Sequence, residues 1–155
     1  HIIDYLLADG ATPLVVADGG HNPAAVLRLK QSLEMYFGLS HRKSPTERRG
    51  TKMPIDRTIL VMGASFDKEI APEIKELSPL FDCVIVTCAN HPRAAEPATL
   101  VAEFAQNGIE PQVTDSVPTA ISQALALAGD RDLICVTGSL FVVGETIDYF
   151  RKLKP

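Results

Sequence analysis

The chain has 155 residues, 46 % apolar and 22 % charged, with 15 basic against 19 acidic side chains and a net charge of −4. That length and composition fit one α/β domain and exclude a disordered, collagen-like or disulfide-scaffold chain. The acidic balance offers no basic field for nucleic acid, and no apolar run approaches the roughly 20 residues a membrane helix needs.

Apolar runs of strand length alternate with stretches of helical period, the pattern of a parallel α/β sheet. His1 to Tyr5 reads as an antiparallel edge strand, pairing back onto Leu14–Asp18 across a turn near Gly10. After Leu14–Asp18 the apolar positions Ala25, Val26, Leu29, Leu33, Tyr36 and Phe37 predict a helix from Asn22 to about Phe37, with Pro23 in its first turn. A second unit follows, with strand Thr58–Met62, a turn at Gly63-Ala64-Ser65 and a helix through Ile70, Ile74 and Leu77. The third has strand Asp82–Thr87, a turn through Asn90-His91-Pro92-Arg93 and a helix from about Glu96 to Gln106. The fourth is weaker, Gln112–Thr114 and then Ala120 to Ala128. The fifth strand, Leu133–Val136, runs into Thr137-Gly138-Ser139 and a last helix to about Arg151. Five such units predict a Rossmann-like, doubly wound sheet in a single domain over 1–155.

Ser40 to Arg57 breaks the rhythm. It holds six of the fifteen basic residues, together with Pro45, Gly50 and Pro54. It reads as a solvated, mobile loop, with contact to an anionic ligand or partner as the alternative. The three cysteines, Cys83, Cys88 and Cys135, form no C-x-x-C pair and point to a reducing compartment. No signal-peptide pattern is read, so a cytoplasmic protein is expected. The start at His1 rather than methionine marks the chain, on this reading, as a piece of something longer.

Ligands of open α/β sheets bind beyond the carboxyl ends of the strands. Four polar segments gather there: Asp18-Gly19-Gly20-His21-Asn22-Pro23, Gly63-Ala64-Ser65-Phe66-Asp67-Lys68, Asn90-His91-Pro92-Arg93-Ala94 and Thr137-Gly138-Ser139. Each has an ordinary reading. Asp18 or Asn22 caps a helix, Lys68 is a solvated lysine, Ser139 is an N-cap, and His91 and Arg93 are loop residues. The combination on one rim favours a ligand site. There is no G-x-x-x-x-G-K-[ST] phosphate loop, no G-x-G-x-x-G after the first strand, no zinc spacing and no G-x-S-x-G elbow.

Leu14-Val-Val-Ala-Asp-Gly-Gly-His-Asn-Pro23 closely resembles the D-G-A-H-N-P segment of folylpolyglutamate synthases and bifunctional dihydrofolate synthases, with Gly20 where alanine is usual. Gly63–Lys68 resembles that family's G-x-x-x-D-K loop, and Pro92-Arg93-Ala94 its P-R-A segment. Thr137-Gly-Ser-Leu-Phe-Val-Val-Gly144 resembles T-G-S-L-Y-L-V-G, with Phe141 in place of tyrosine. The resemblance implies the C-terminal domain of such an enzyme, related to the C-terminal domains of the Mur ligases, with about six strands, mostly parallel with one antiparallel. It also implies an N-terminal ATPase domain, absent here, that carries the phosphate loop, the magnesium ligands and most of the folate site. The basic loop has no counterpart in the family pattern.

The activity implied by the resemblance is ATP-dependent ligation of L-glutamate to a folate or dihydropteroate through an acyl phosphate. Asp18, His21 and Asn22 would contact ATP. Lys68, Ser139 and, more weakly, Arg93 would hold glutamate. None of these residues would be catalytic, this domain would bind no metal, and alone it would be inactive. A Mur-type cell-wall ligase and a non-catalytic nucleotide- or protein-binding module are the competing readings.

Overall fold

The computed structural model describes residues 2–4, 13–19, 23–37 and 55–153. In chain order the strands are β1 (Ile2–Asp4), β2 (Leu14–Asp18), β3 (Thr58–Met62), β4 (Cys83–Val86), β5 (Gln112–Val113) and β6 (Leu133–Thr137). The helices are α1 (Pro23–Phe37), α2 (Ala71–Leu77), α3 (Pro97–Gln106), α4 (Val117–Leu127) and α5 (Leu140–Leu153). The sheet order is β1-β2-β6-β3-β4-β5. The strands from β2 to β5 are parallel, and β1 runs antiparallel to β2 with Ile3 opposite Val15. This is the doubly wound α/β sheet expected from the strand-helix alternation.

Strands β3 and β6 are buried along their whole length, as near-continuous apolar runs in a parallel sheet should be. Their side chains divide by the two-residue period. Leu60, Met62, Leu133 and Cys135 face one layer with Val26, Leu29 and Leu33 of α1, Ile74 and Leu77 of α2, and Leu100 and Phe104 of α3. Ile59, Val61, Ile134 and Val136 face the other with α4 and α5. The chain therefore leaves β3 toward one face and leaves its neighbour β6 toward the opposite face. A crevice must open between those two exits.

Three differences from the sequence reading have local causes. Helix α4 begins at Val117, not Ala120, because Ser116 caps it by accepting from the Thr119 N–H and a proline follows in the first turn. The β4 strand is one residue shorter at each end than the expected Asp82–Thr87. The end of the basic segment is not solvated loop: Ile55 is buried in the α1–α2–α3 layer, and Arg57 pairs with Asp132. The remainder of that segment, and the turn near Gly10, lie outside the described residues.

Candidate functional site

The crevice is closed by backbone. Gly63, at the end of β3, and Gly138, at the end of β6, approach so nearly that no side chain fits between them. Thr137 laces the three strand ends together. Its hydroxyl donates to the Asp18 carbonyl at 2.7 Å, and its own carbonyl accepts from the Gly63 N–H at 3.4 Å. The loop after β3 is also zipped to the loop after β4: the Phe66 N–H donates to the Arg93 carbonyl at 2.7 Å, and the Ala95 N–H to the Ala64 carbonyl at 2.8 Å. Three rim loops are thus held in one arrangement.

Lys68, Arg93 and Ser139 line one cavity there, of about 370 Å³, together with Ser65, Asp67, Leu140 and Phe141. That size lies in the lower part of the ~300–1,000 Å³ range of small-molecule sites. Lys68 is not a solvated lysine. Its side chain is 10 % exposed, its ammonium donates to the Gly138 carbonyl at 2.9 Å, and Glu73 Oε1 lies 2.9 Å away. Ser139 is buried, and its hydroxyl accepts from the Val142 N–H at 3.1 Å, so it does cap α5. The cap and the cavity coincide: the residue that starts α5 also lines the pocket, beside N–H groups and a helix dipole that favour an anion.

Arg93 is the more accessible of the two cations, 55 % exposed and paired with Asp67. Its guanidinium beside Asp67 holds that carboxyl below its usual range. His91 stacks on Phe141 with ring centroids 3.7 Å apart, and its Nδ1 accepts from the Arg93 N–H at 3.1 Å. The cavity is therefore lined by two paired cations, Lys68 with Glu73 and Arg93 with Asp67, and by the apolar Leu140 and Phe141.

Asp18 stands at the neighbouring strand end, half-buried and outside the cavity lining. Gly19 after it abuts Leu140: a Cβ there would lie 2.5 Å from Leu140 Cδ2. His21 and Asn22 fall outside the described residues. Sequence reasoning missed Glu73, and it cited Asp67 only inside a motif. A Glu five residues beyond a rim lysine, at the start of the next helix, was the available signal.

Among the described residues no group of three or more His, Cys, Asp or Glu side chains is placed to hold a metal ion. Nor do the cysteines offer a thiolate. Burial, then neighbouring acids, raises the Cys88 thiol, and burial pushes Cys135 up to about 12.

Residues 46–140 match the model of the Mur ligase, glutamate ligase domain family. The chain belongs to that family. A probable bifunctional folylpolyglutamate synthase/dihydropteroate synthase of Halobacterium salinarum is 34 % identical over 138 residues, which is 88 % of this chain and 15 % of that protein. Among solved structures, folylpolyglutamate synthase of Mycobacterium tuberculosis, complexed with ADP and AMPPCP, superposes with a TM-score of 0.72 at 25 % identity, over 89 % of this chain and 30 % of that one. A bifunctional folylpolyglutamate synthase/dihydrofolate synthase with Mn, AMPPNP and L-glutamate bound shares the fold, with a TM-score of 0.71 at 24 % identity over 90 % of this chain and 29 % of that one. This Mur ligase glutamate ligase domain spans less than a third of each of these relatives. Among its described residues no helix is long and apolar enough to cross a membrane.

Proposed function

We propose that this chain is the C-terminal, glutamate-holding domain of an ATP-dependent amide ligase that adds L-glutamate to a folate or dihydropteroate in the cytoplasm. The observation that carries the reading is the single cavity in which Lys68, Arg93 and the Ser139 start of α5 converge. Glutamate offers two carboxylates and an amine. One carboxylate suits the fixed Lys68 ammonium and the α5 N-terminus, and the other suits the outward guanidinium of Arg93. The structural relative with bound L-glutamate and AMPPNP supports the same substrate pair.

A carboxylate is a poor acyl donor because oxide would have to leave. Transfer of the γ-phosphoryl group of ATP to the acceptor's carboxylate gives an acyl phosphate and ADP. The glutamate amine then attacks the acyl carbon, phosphate departs, and the amine loses a proton. This domain's contribution is proximity: it holds the amine against the acyl carbon, an effect potentially worth several kcal/mol. Asp18, with His21 and Asn22 beyond it, is assigned to the ribose and phosphate side of ATP, where a carboxylate accepts from ribose hydroxyls. The metal and the phosphate loop are assigned, from the family resemblance, to an N-terminal ATPase domain of the same polypeptide. Closure of the two domains would keep the acyl phosphate from water.

The test is ligation of radiolabelled L-glutamate by the full-length polypeptide, with a folate, dihydropteroate or a nucleotide-linked cell-wall precursor as acceptor. ATP-dependent labelling of the folate or dihydropteroate is expected, and none by the 155 residues alone. Labelling of only the cell-wall precursor would replace this assignment with a Mur-type one. Nucleotide binding without ligation of any acceptor would leave a non-catalytic module.

A further inference from the structure

Glu73 lies in the first turn of α2 with its side chain 2 % exposed. A carboxylate that deeply buried needs compensating charge or donors. Such compensation is present. The N-terminal end of α2 favours an anion, and the Lys68 ammonium lies 2.9 Å from Oε1. That same ammonium donates to the Gly138 carbonyl at 2.9 Å, across the crevice between β3 and β6. One cation therefore ties the start of α2 to the turn that starts α5, and it does so in the wall of the cavity.

We infer that Glu73 is a positioning residue, fixing the Lys68 ammonium against Gly138 so that it meets a ligand carboxylate as an oriented donor. The inference rests on the reading of this cavity as the glutamate site. A lysine carries its charge on a flexible four-carbon stem, and ordering that stem at the moment of binding costs affinity. The pair with Glu73 orders it beforehand. The two buried partners also neutralise each other, so Lys68 gives the site direction more than net charge. Arg93, the more exposed cation of the same cavity, is likewise paired, with Asp67.

Steady-state kinetics on the full-length polypeptide, with each substrate varied in turn, test this. Glu73→Gln keeps an acceptor but puts an amide N–H₂ where a carboxylate oxygen was. It should raise the glutamate KM about threefold, and Glu73→Ala about tenfold, with kcat and the other KM values moving less than about twofold. Adding Glu73→Ala to Lys68→Ala should raise the glutamate KM no further, because one residue acts through the other. If Lys68→Ala raises the glutamate KM while Glu73→Gln leaves it unchanged or lowers it, Glu73 is only a buried counter-charge. The inference is then wrong while the glutamate reading stands. If Lys68→Ala leaves the glutamate KM unchanged, the reading of the cavity fails and takes the inference with it. Should Glu73→Ala show no cooperative thermal transition, the Gln variant alone decides.

Discussion

Gly138 and Gly63 meet backbone to backbone: a Cβ on Gly138 would fall 1.8 Å from the Gly63 carbonyl oxygen. Gly138 also holds a φ of +117°, a conformation that L side chains rarely adopt. Steric contact and backbone strain thus act at one residue, and that residue's carbonyl holds Lys68. Gly138→Ala is expected to destabilise the fold by about 2–4 kcal/mol, as forced overpacking and positive φ each cost of that order. For a domain of this size the thermal midpoint should fall by roughly 10 °C. Calorimetry on the purified chain checks it, and an unchanged midpoint would mean that the two turns can separate freely.

The Asp67–Arg93 pair gives a pH dependence with a definite sign. The hydrogen bond from Arg93 lowers the Asp67 carboxyl from its ordinary value of 3.8. Because the folded state binds this proton less tightly than the unfolded chain, the pair's contribution is present above 3.8 and is lost as pH falls through the lower folded value. Carboxyl ¹³C NMR should find the Asp67 midpoint below the usual aspartate range, and Arg93→Ala should move it back up. A midpoint indifferent to Arg93 would show that the two side chains do not associate in solution.

What the sequence disclosed and what it hid divide along physical lines. The β3 and β6 strands were legible as short continuous apolar runs buried on both faces, and α1 from the three- and four-residue repeat that one-sided burial imposes. So was the rim, since strand ends followed by glycine and polar residues announce turns. Ile55 was hidden by its basic and proline-bearing surroundings, although it belongs to the core. Helix α4 was read one turn late because its cap, Ser116, lies outside the apolar repeat. The pairing of Lys68 with Glu73, and the approach of Gly63 to Gly138, depend on how distant turns meet; no local pattern encodes them. Thus Lys68, Arg93 and Ser139 were legible as neighbours on one rim, while the groups that hold them in place were not.

Asp18 offers the next prediction. Its backbone belongs to β2, and its carbonyl accepts from Thr137 at 2.7 Å, so the main chain fixes the position whatever the side chain does. Asp18→Ala should therefore keep a cooperative melt within a few degrees of the parent while raising the KM for ATP in the full-length polypeptide. A lost hydrogen bond to a charged group is worth about 1.5–3 kcal/mol, which is roughly tenfold or more in KM. His21→Ala should behave likewise on the assignment made from sequence. If both variants lower the melting temperature and leave ATP kinetics untouched, these residues pack or cap and do not meet the nucleotide.

Ser139 allows capping and ligand binding to be separated within one side chain. Its hydroxyl accepts from the Val142 N–H at 3.1 Å, and the residue lines the cavity with Lys68 and Arg93. Ser139→Ala removes the cap, which costs about 0.5–2 kcal/mol of stability. It should raise the glutamate KM only mildly, because the backbone N–H groups at the start of α5 survive. Aspartate caps helices about as well as serine and is favoured at the positive end of the dipole. Ser139→Asp should therefore melt closer to the parent than Ser139→Ala does. Yet it sets a carboxylate where a ligand carboxylate is assigned, and like charges at close range repel by about 1 kcal/mol or more even in high dielectric. The glutamate KM of Ser139→Asp should rise about fivefold or more, at roughly 1.4 kcal/mol per factor of ten, with ATP kinetics little changed. The opposite ranking, Ala harming glutamate use and Asp sparing it, would mean that Ser139 serves the site through the cap alone and that no anion sits at the start of α5.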